Sequence, residues 1–528
     1  MFTKKKWSMA VVFLLVSALW ITACGSGNAT KSGSSASAPD SSASAPGSSA
    51  PASSNSPEGT AQHGSKLTIE ATYMHSQSLP QEDPIRNLIN EKFNVDYTVT
   101  TYPSNEEYAN MLNVRVASGN APDIMYLTKD QLREYNKAGL LLDLTPYLDK
   151  LSNVGPFLGA KDPFLTATFG GKVMAVPRLR GIPAITFWMR QDWLDKVGQS
   201  VPTNLDQLYA VLKAFTEQDP DGNSKNDTYG MTGVGKMDSF LPIYGAYGVG
   251  LPGTFYLKDG KLVNSFYDPN MVQVLEYIKK LISEGLIDPD FMSNTNENQS
   301  LEKVYQGKAG LIYTHWGTIT KTDNQKQILA VNANAKWVQG GSISGPGGDY
   351  NSNYDLGGNS GFLALPKTLE KDQEKIDRVL ELINFLSSTE GSNLVMYGIE
   401  GTHYNIENGK VVPTPLLDKE GGYYVVHQIL GRKEPEYLYT KFPNDVGHVD
   451  FASSLPKLET LNGFVTAPEN YNHADALRYA EEEFVKFIYG RRPLTEYDKF
   501  LNTLETTFNY KAYLEKAEKD LKETGLVK

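Results

Sequence analysis

Cysteine is nearly absent: Cys24 is the only one in 528 residues. No intramolecular disulfide can form, and a zinc site built from several cysteines is excluded. Histidine is sparse, with seven residues scattered along the chain. There is no His-Glu-x-x-His, no Gly-x-Ser-x-Gly and no phosphate-binding Gly-rich loop ending in Lys-Ser/Thr, the signals of a metalloprotease, a serine hydrolase and a P-loop. Positive charge is in deficit, the formal net charge being −11. Without the three lysines of residues 1–23 it is about −14, a field that disfavours phosphate-backbone partners, so nucleic acid is not an expected ligand. A local basic cleft can still oppose that field.

Long apolar runs are also lacking. The one near the start, Met9 to Ile21, follows Lys4, Lys5 and Lys6 and ends in Thr22-Ala23-Cys24. It is too short and wrongly flanked for a membrane span and reads as a secretory signal. With cysteine directly after Thr-Ala, it resembles a bacterial lipoprotein signal. That resemblance implies cleavage after residue 23 and a diacylglyceryl group on Cys24, anchoring the chain at the extracellular face of the cell membrane. Residues 24–66 then contain no aromatic residue and no aliphatic one larger than Ala or Pro. Such a stretch cannot offset its ordering entropy and reads as a disordered tether spanning on the order of 35 Å.

From residue 67 the chain is patterned. Leu67, Ile69, Ala71 and Tyr73 alternate as in a half-buried strand. Asp83-Pro84 starts a helix with Ile85, Leu88, Ile89 and Phe93 on one face, and Val95, Tyr97 and Val99 form a second strand, a β-α-β unit. Ser104 and Glu107 have the spacing of a capping box, and 123–127 reads as a buried strand. Alternating strands and helices predict an α/β fold with a largely parallel sheet. The last third is richer in helix: Ile376, Val379, Leu380 and Ile383 share a face, as do Leu477, Ala480, Phe484 and Phe487. Tyr497, Phe500, Leu501 and Leu504 repeat the spacing, with Thr495 and Asp498 as a cap signal. These stripes are expected to be core.

Several segments in this order resemble the family 1 extracellular solute-binding proteins, the receptors of ABC importers. They are 117–124 (ASGNAPDI), 137–147 (KAGLLLDLTPY), 171–177 (GKVMAVP), 186–194 (TFWMRQDWL), 307–317 (GKAGL to WG) and 360–367 (SGFLALPK). Leu382 to Phe385, Glu390-Gly391 and 397–401 (YGIEG) resemble the large subgroup that includes alginate-oligosaccharide-binding proteins. The stretch 405–470 fits least well. The resemblance implies a type II periplasmic-binding-protein-like fold of two α/β lobes, 67–185 plus about 358–435 and 186–357 plus about 436–528, joined by crossing strands near Pro183 and Gly361. It also implies a monomeric binding protein, not an enzyme, that captures an oligosaccharide and delivers it to permease subunits. A peptide receptor, and a surface adhesin or co-receptor, are the other readings.

Asp219, Asp221, Asn223 and Asp227 place oxygen-bearing side chains at relative positions 1, 3, 5 and 9, with the Lys225 carbonyl at 7. That is the EF-hand manner of surrounding calcium. Gly230 stands where the bidentate glutamate belongs, and the glycine falls at position 4 rather than 6. Calcium here would be structural, pinning the turn after the helix that runs from Leu205 to Phe215. For the solute, flat aromatic faces are wanted. Trp316 and Trp188 are the expected stacking platforms, and Trp193 is expected in the core. Tyr73 and His75 follow the first strand, where such sheets present their carboxyl ends to a crevice. Arg178 and Arg180 are candidate contacts to carboxylates or hydroxyls.

Overall fold

The computed structural model describes residues 64–235 and 237–528. Cys24 and nearly all of the tether lie outside the described residues. Strand Leu67–Met74, helix Pro84–Phe93 and strand Val95–Tyr102 form the expected β-α-β unit, paired in parallel from Leu67↔Val95 to Met74↔Tyr102. Asp83 caps the helix by accepting from the Ile85 and Arg86 amides, and Pro84 occupies its first turn, where its missing N–H costs nothing. At the next helix, Asn105–Ala117, Ser104 accepts from the Glu107 amide, so the hydroxyl half of the capping box is made. The full reciprocal box forms one helix later, between Thr128 and Gln131.

Two sheets organise the chain. In the first, the strand order is 95–102, 67–74, 124–127, 362–364 and 176–177, with the first three parallel and the 362–364 strand antiparallel to both neighbours. In the second, the order is 337–340, 185–190, 309–315 and 229–232. There the strand Ile185–Arg190 runs antiparallel to both neighbours, and only the 309–315 and 229–232 pair is parallel. The expectation of a largely parallel sheet therefore holds for the first sheet alone. Ile185–Arg190 enters the second sheet directly from the first, with no crossover helix to reverse it.

Alternation along the strands sends neighbouring residues to opposite faces. Ile124 joins one large core and Met125 and Leu127 a smaller one across the first sheet. In the second sheet, Phe187 and Met189 enter the other large core, whereas Trp188 enters a small cluster on the far face. The helical stripes are core, as expected. Ile376, Val379, Leu380 and Ile383 of helix Gln373–Leu386 pack in the first core. Phe484, Phe487, Phe500 and Leu504 of the C-terminal helices pack in the second, and Trp193 lies there too. The helix Tyr497–Thr507 begins differently from the expectation: a 3-10 turn, Leu494–Glu496, leads into it, and no side chain caps it.

The stretch 405–470, unreadable from sequence, is a hairpin (404–407 with 410–413), then short helices and a strand, Lys457–Thr460, paired in parallel with 352–355. Tyr437, Leu438, Val449 and Ala452 join the first core, while Leu461, Val465 and Tyr471 join the second. This stretch therefore passes between the two cores, as do the segments around 178–185 and 355–361. Among the described residues no helix is long and apolar enough to cross a membrane.

Candidate functional site

The carboxyl ends of the first sheet bring four aromatic and basic side chains together. Tyr73 and His75 stack with centroids 6.0 Å apart and planes 17° from parallel. Tyr126 meets Tyr73 edge-on at 5.5 Å. The Arg178 guanidinium lies 4.7 Å from the Tyr73 ring centre and 5.2 Å from that of Tyr126, within cation–π range. Arg178 is 5% exposed and donates to Tyr73 Oη (2.9 Å), Ser360 O (2.8 Å), Gln428 O (3.1 Å) and the Ile429 carbonyl. One side chain thus ties together the three segments that pass between the cores. Gly361 is required beside it: its φ is +117°, and a Cβ there would strike the Tyr126 ring. Burial lowers the His75 pKa.

Arg180, two residues on, lies over the Tyr354 ring at 3.6 Å and donates to Asp355 O at 2.5 Å. Around the same crossing stands a group that sequence reasoning missed. Lys129, the first residue of helix Lys129–Lys137, donates to the Thr166 carbonyl and lies over the rings of Phe362 (5.3 Å) and Phe169 (5.9 Å). Asn359 Nδ2 donates to Thr166 Oγ1 at 3.1 Å, which joins Lys129 to the 355–361 crossing. One turn along that helix, Arg133 donates to the Val465 carbonyl, a residue of the other core. Facing it are Tyr471 and Tyr513, stacked at 4.6 Å and 11°, with His473 hydrogen-bonded to Tyr471 Oη at 3.1 Å. Burial drives the Lys129 ammonium down to about 7, with Arg133 adding repulsion and Asp355 and Asp130 opposing it. Burial raises Asp355, against hydrogen bonds from Gly463 and Gly357 and the charges of Arg180 and Lys129. Such displaced groups at a junction of elements mark candidate sites. No short-range motif distinguishes Lys129 from a solvated helix lysine.

The two tryptophans sit elsewhere. Trp316 is 3% exposed and packs edge-on against Phe442 at 5.4 Å. Trp188 is 1% exposed and lies 5.2 Å from His448, which exchanges two hydrogen bonds with Gln339. Phe442 and His448 both belong to the segment that sequence could not place, so that segment covers both indoles. Beside Trp316, His315 ends the 309–315 strand with solvent access, yet burial lowers its pKa, against Glu434 and Glu297.

The acidic loop follows helix Leu205–Glu217. Asp219 Oδ1 accepts from the Gly222 and Asn223 amides and Oδ2 from Ser224, winding the loop around one carboxylate. Asn223 Nδ2 donates to Asp221 Oδ2 (2.7 Å) and Asp227 Oδ1 (2.9 Å), so two carboxylates converge on one point. The Lys225 amide donates to Asn223 Oδ1 at 2.7 Å, and Lys196 Nζ donates to Asp219 O at 2.9 Å. Burial raises Asp221, and the charges of Asp227 and Asp219 add to it. Among the described residues no three His, Cys, Asp or Glu side chains are set to hold a metal. A cation here would therefore need the Asn223 amide oxygen, turned inward, and the Lys225 carbonyl. The donor set is all oxygen and suits a hard cation.

Residues 78–393 match the family described as bacterial extracellular solute-binding protein. The chain is 30% identical to Lipoprotein LipO of Bacillus subtilis over 362 residues, 66% of this chain and 69% of that one. It is 28% identical to the polygalacturonan/rhamnogalacturonan-binding protein YtcQ of the same organism, over 66% of this chain and 69% of that one. Among solved structures, the alginate-binding protein AlgQ2 without calcium ion superposes with a TM-score of 0.67 at 17% identity, over 85% of this chain and 97% of that one. FusA of Streptococcus pneumoniae with kestose gives 0.66 at 18%, over 87% and 99%. The fold is therefore the two-domain type II fold of substrate-binding proteins. The chain belongs to the bacterial extracellular solute-binding protein family; it binds a solute and is not an enzyme.

Proposed function

We propose that this protein is the lipid-anchored capture subunit of an ABC importer and that its solute is an oligosaccharide held between two lobes. The observation that carries the reading is the convergence of Tyr73, His75, Arg178, Arg180, Tyr354 and the Lys129 helix on the segments that pass between the two cores. Aromatic faces and hydrogen-bonding rims are the chemistry of sugar capture, and segments that cross between cores are where a hinge rotation is absorbed. A solute touching both lobes favours their closure by its differential affinity. YtcQ is a polygalacturonan/rhamnogalacturonan-binding protein and FusA a fructooligosaccharide substrate-binding protein, which supports the ligand class.

In this reading the lobes are 67–185 plus about 358–435 and 186–357 plus about 436–528. The apolar side chains of 437–452 lean on the first of them. Trp316 and Trp188 would serve as platforms only once 436–454 moves aside. Cys24 carries the lipid at the extracellular face of the membrane, a reading that the lipoprotein name of LipO supports. Asp219, Asp221, Asn223, Lys225 and Asp227 would hold a structural calcium ion. Its chemistry would be to cancel the repulsion of three carboxylates. That AlgQ2 has been solved in a form without calcium ion, and FusA as an EF-hand mutant, supports that assignment.

A thermal-shift screen with calcium, oligosaccharides, monosaccharides and short peptides tests the reading, because a ligand of the folded state raises Tm by mass action. Stabilisation by one oligosaccharide series is expected. Stabilisation by peptides alone would overturn it.

A further inference from the structure

A neutral and a charged oligosaccharide demand different sites, and the charges around the 355–361 crossing distinguish them. Lys129, Arg178 and Arg180 converge there, and among the described residues none has a carboxylate within ion-pair distance, although the chain as a whole is acidic. Arg178 is consumed: its donors are spent on three carbonyls and Tyr73 Oη. Lys129 and Arg180 are not. Lys129 has one carbonyl and two ring faces, and Arg180 has one carbonyl and one ring face. Thr166, Asn359 and Asp355 link the two into one patch. Asp355 acts on both from beyond ion-pair distance, so two cations share one distant carboxylate, and such an excess of positive charge leaves donors for an anionic ligand.

We propose that the solute is an oligosaccharide bearing carboxylates, a uronate fragment, and that Lys129 and Arg180 receive its carboxylate groups at the return crossing. The inference rests on the oligosaccharide reading above. Asp355 is the one acidic side chain in the patch, and burial raises its pKa against the hydrogen bonds from Gly463 and Gly357 and the charges of Arg180 and Lys129. Lys129 adds a pH dependence. The groups that act on it are Arg133 and Asp130 on its own helix and Asp355 on the facing crossing. With the free ammonium titrating near 7 and a bound carboxylate keeping it charged, binding takes up a proton. Affinity for a uronate then falls about tenfold from pH 7 to 8.5.

The test is calorimetric titration of the purified protein with trigalacturonate, an alginate trimer and neutral kestose, at pH 7 and 8.5 and at low and high salt. At least one acidic trimer should bind tenfold or more tightly than kestose and weaken with salt and with rising pH. Lys129→Gln and Arg180→Gln should each weaken it at least tenfold with Tm maintained. Lys129→Arg, charged at every pH, should bind it without the pH dependence. Kestose binding with neither acidic trimer bound would overturn the inference and leave the oligosaccharide reading standing. Silence from all three sugars, with binding of peptides, would overturn both. Unchanged affinity for the acidic trimer in Lys129→Gln would remove Lys129 from the site.

Discussion

Replacing Lys129 by methionine should make the protein more stable while damaging its capture of solute. The ammonium is withdrawn from water by Phe169, Phe362 and the Thr166 carbonyl, and its pKa falls from 10.5 to about 7. Each unit corresponds to about 1.4 kcal/mol, so holding lysine there opposes folding at neutral pH by at most about 4–5 kcal/mol. Relaxation, partial solvent contact and the loss of the ammonium's own contacts reduce the gain to roughly 1–2 kcal/mol; methionine keeps favourable contact with the two rings. For lobes of this size that is a rise in Tm of roughly 2–6 °C. The sign with pH follows from linkage. Between about pH 7 and 10.5 the unfolded chain binds more protons at this lysine than the folded one, so wild-type stability gains from rising pH in that window. The variant should lose that component. Scanning calorimetry of both proteins from pH 6 to 10 measures both effects. A variant that melts several degrees below wild type at neutral pH would make Lys129 an ordinary packing residue.

Asp83→Ala removes a helix cap and strands His427, whose side chain and that of Asp83 are both fully buried and paired at 2.8 Å. A loss of about 3–5 kcal/mol by denaturant titration is expected. Burial pushes Asp83 up, but the hydrogen bonds from His427 and the Arg86 amide outweigh it and hold its pKa below 3.8. Its contribution should therefore persist above pH 3.8 and fade as acid titrates the folded carboxylate. Gly361→Ala, at φ +117° and against Tyr126, should cost roughly 1–3 kcal/mol and weaken solute binding through the displaced Tyr126–Tyr73–Arg178 stack. Chelation should lower Tm and added calcium restore it, whereas Asp227→Ala should abolish the difference. Equal melting in calcium and chelator would remove the ion from the account.

Local chemistry was readable wherever one segment decides it. Asp83-Pro84 announces a cap because the side chain bonds amides two and three residues on, and the Asp219 turn likewise closes on itself within five residues. What could not be read was made by distant partners. Lys129 looks like the solvated start of a helix until Thr166, 37 residues away, and Phe362 enclose it. Trp188 and Trp316 look like open platforms until His448 and Phe442 arrive from the stretch 405–470. That stretch resists reading because its short helices pack on one core while Leu461 and Val465, beyond them, pack on the other. Ser104-x-x-Glu107 gave the right helix start though only half its box forms. Thr495 gave a start near the true one but no cap, because Pro493 and the 3-10 turn already direct the chain into the helix.

The central claim is capture of an oligosaccharide by one site at the crossings. Titration calorimetry of the purified protein, with calcium present, against sugars of two to six units and against short peptides tests it most directly. One site per chain, heat from a single oligosaccharide series and affinity that rises with length and then levels off are expected. Saturable heat from peptides, with none from any sugar, would contradict it.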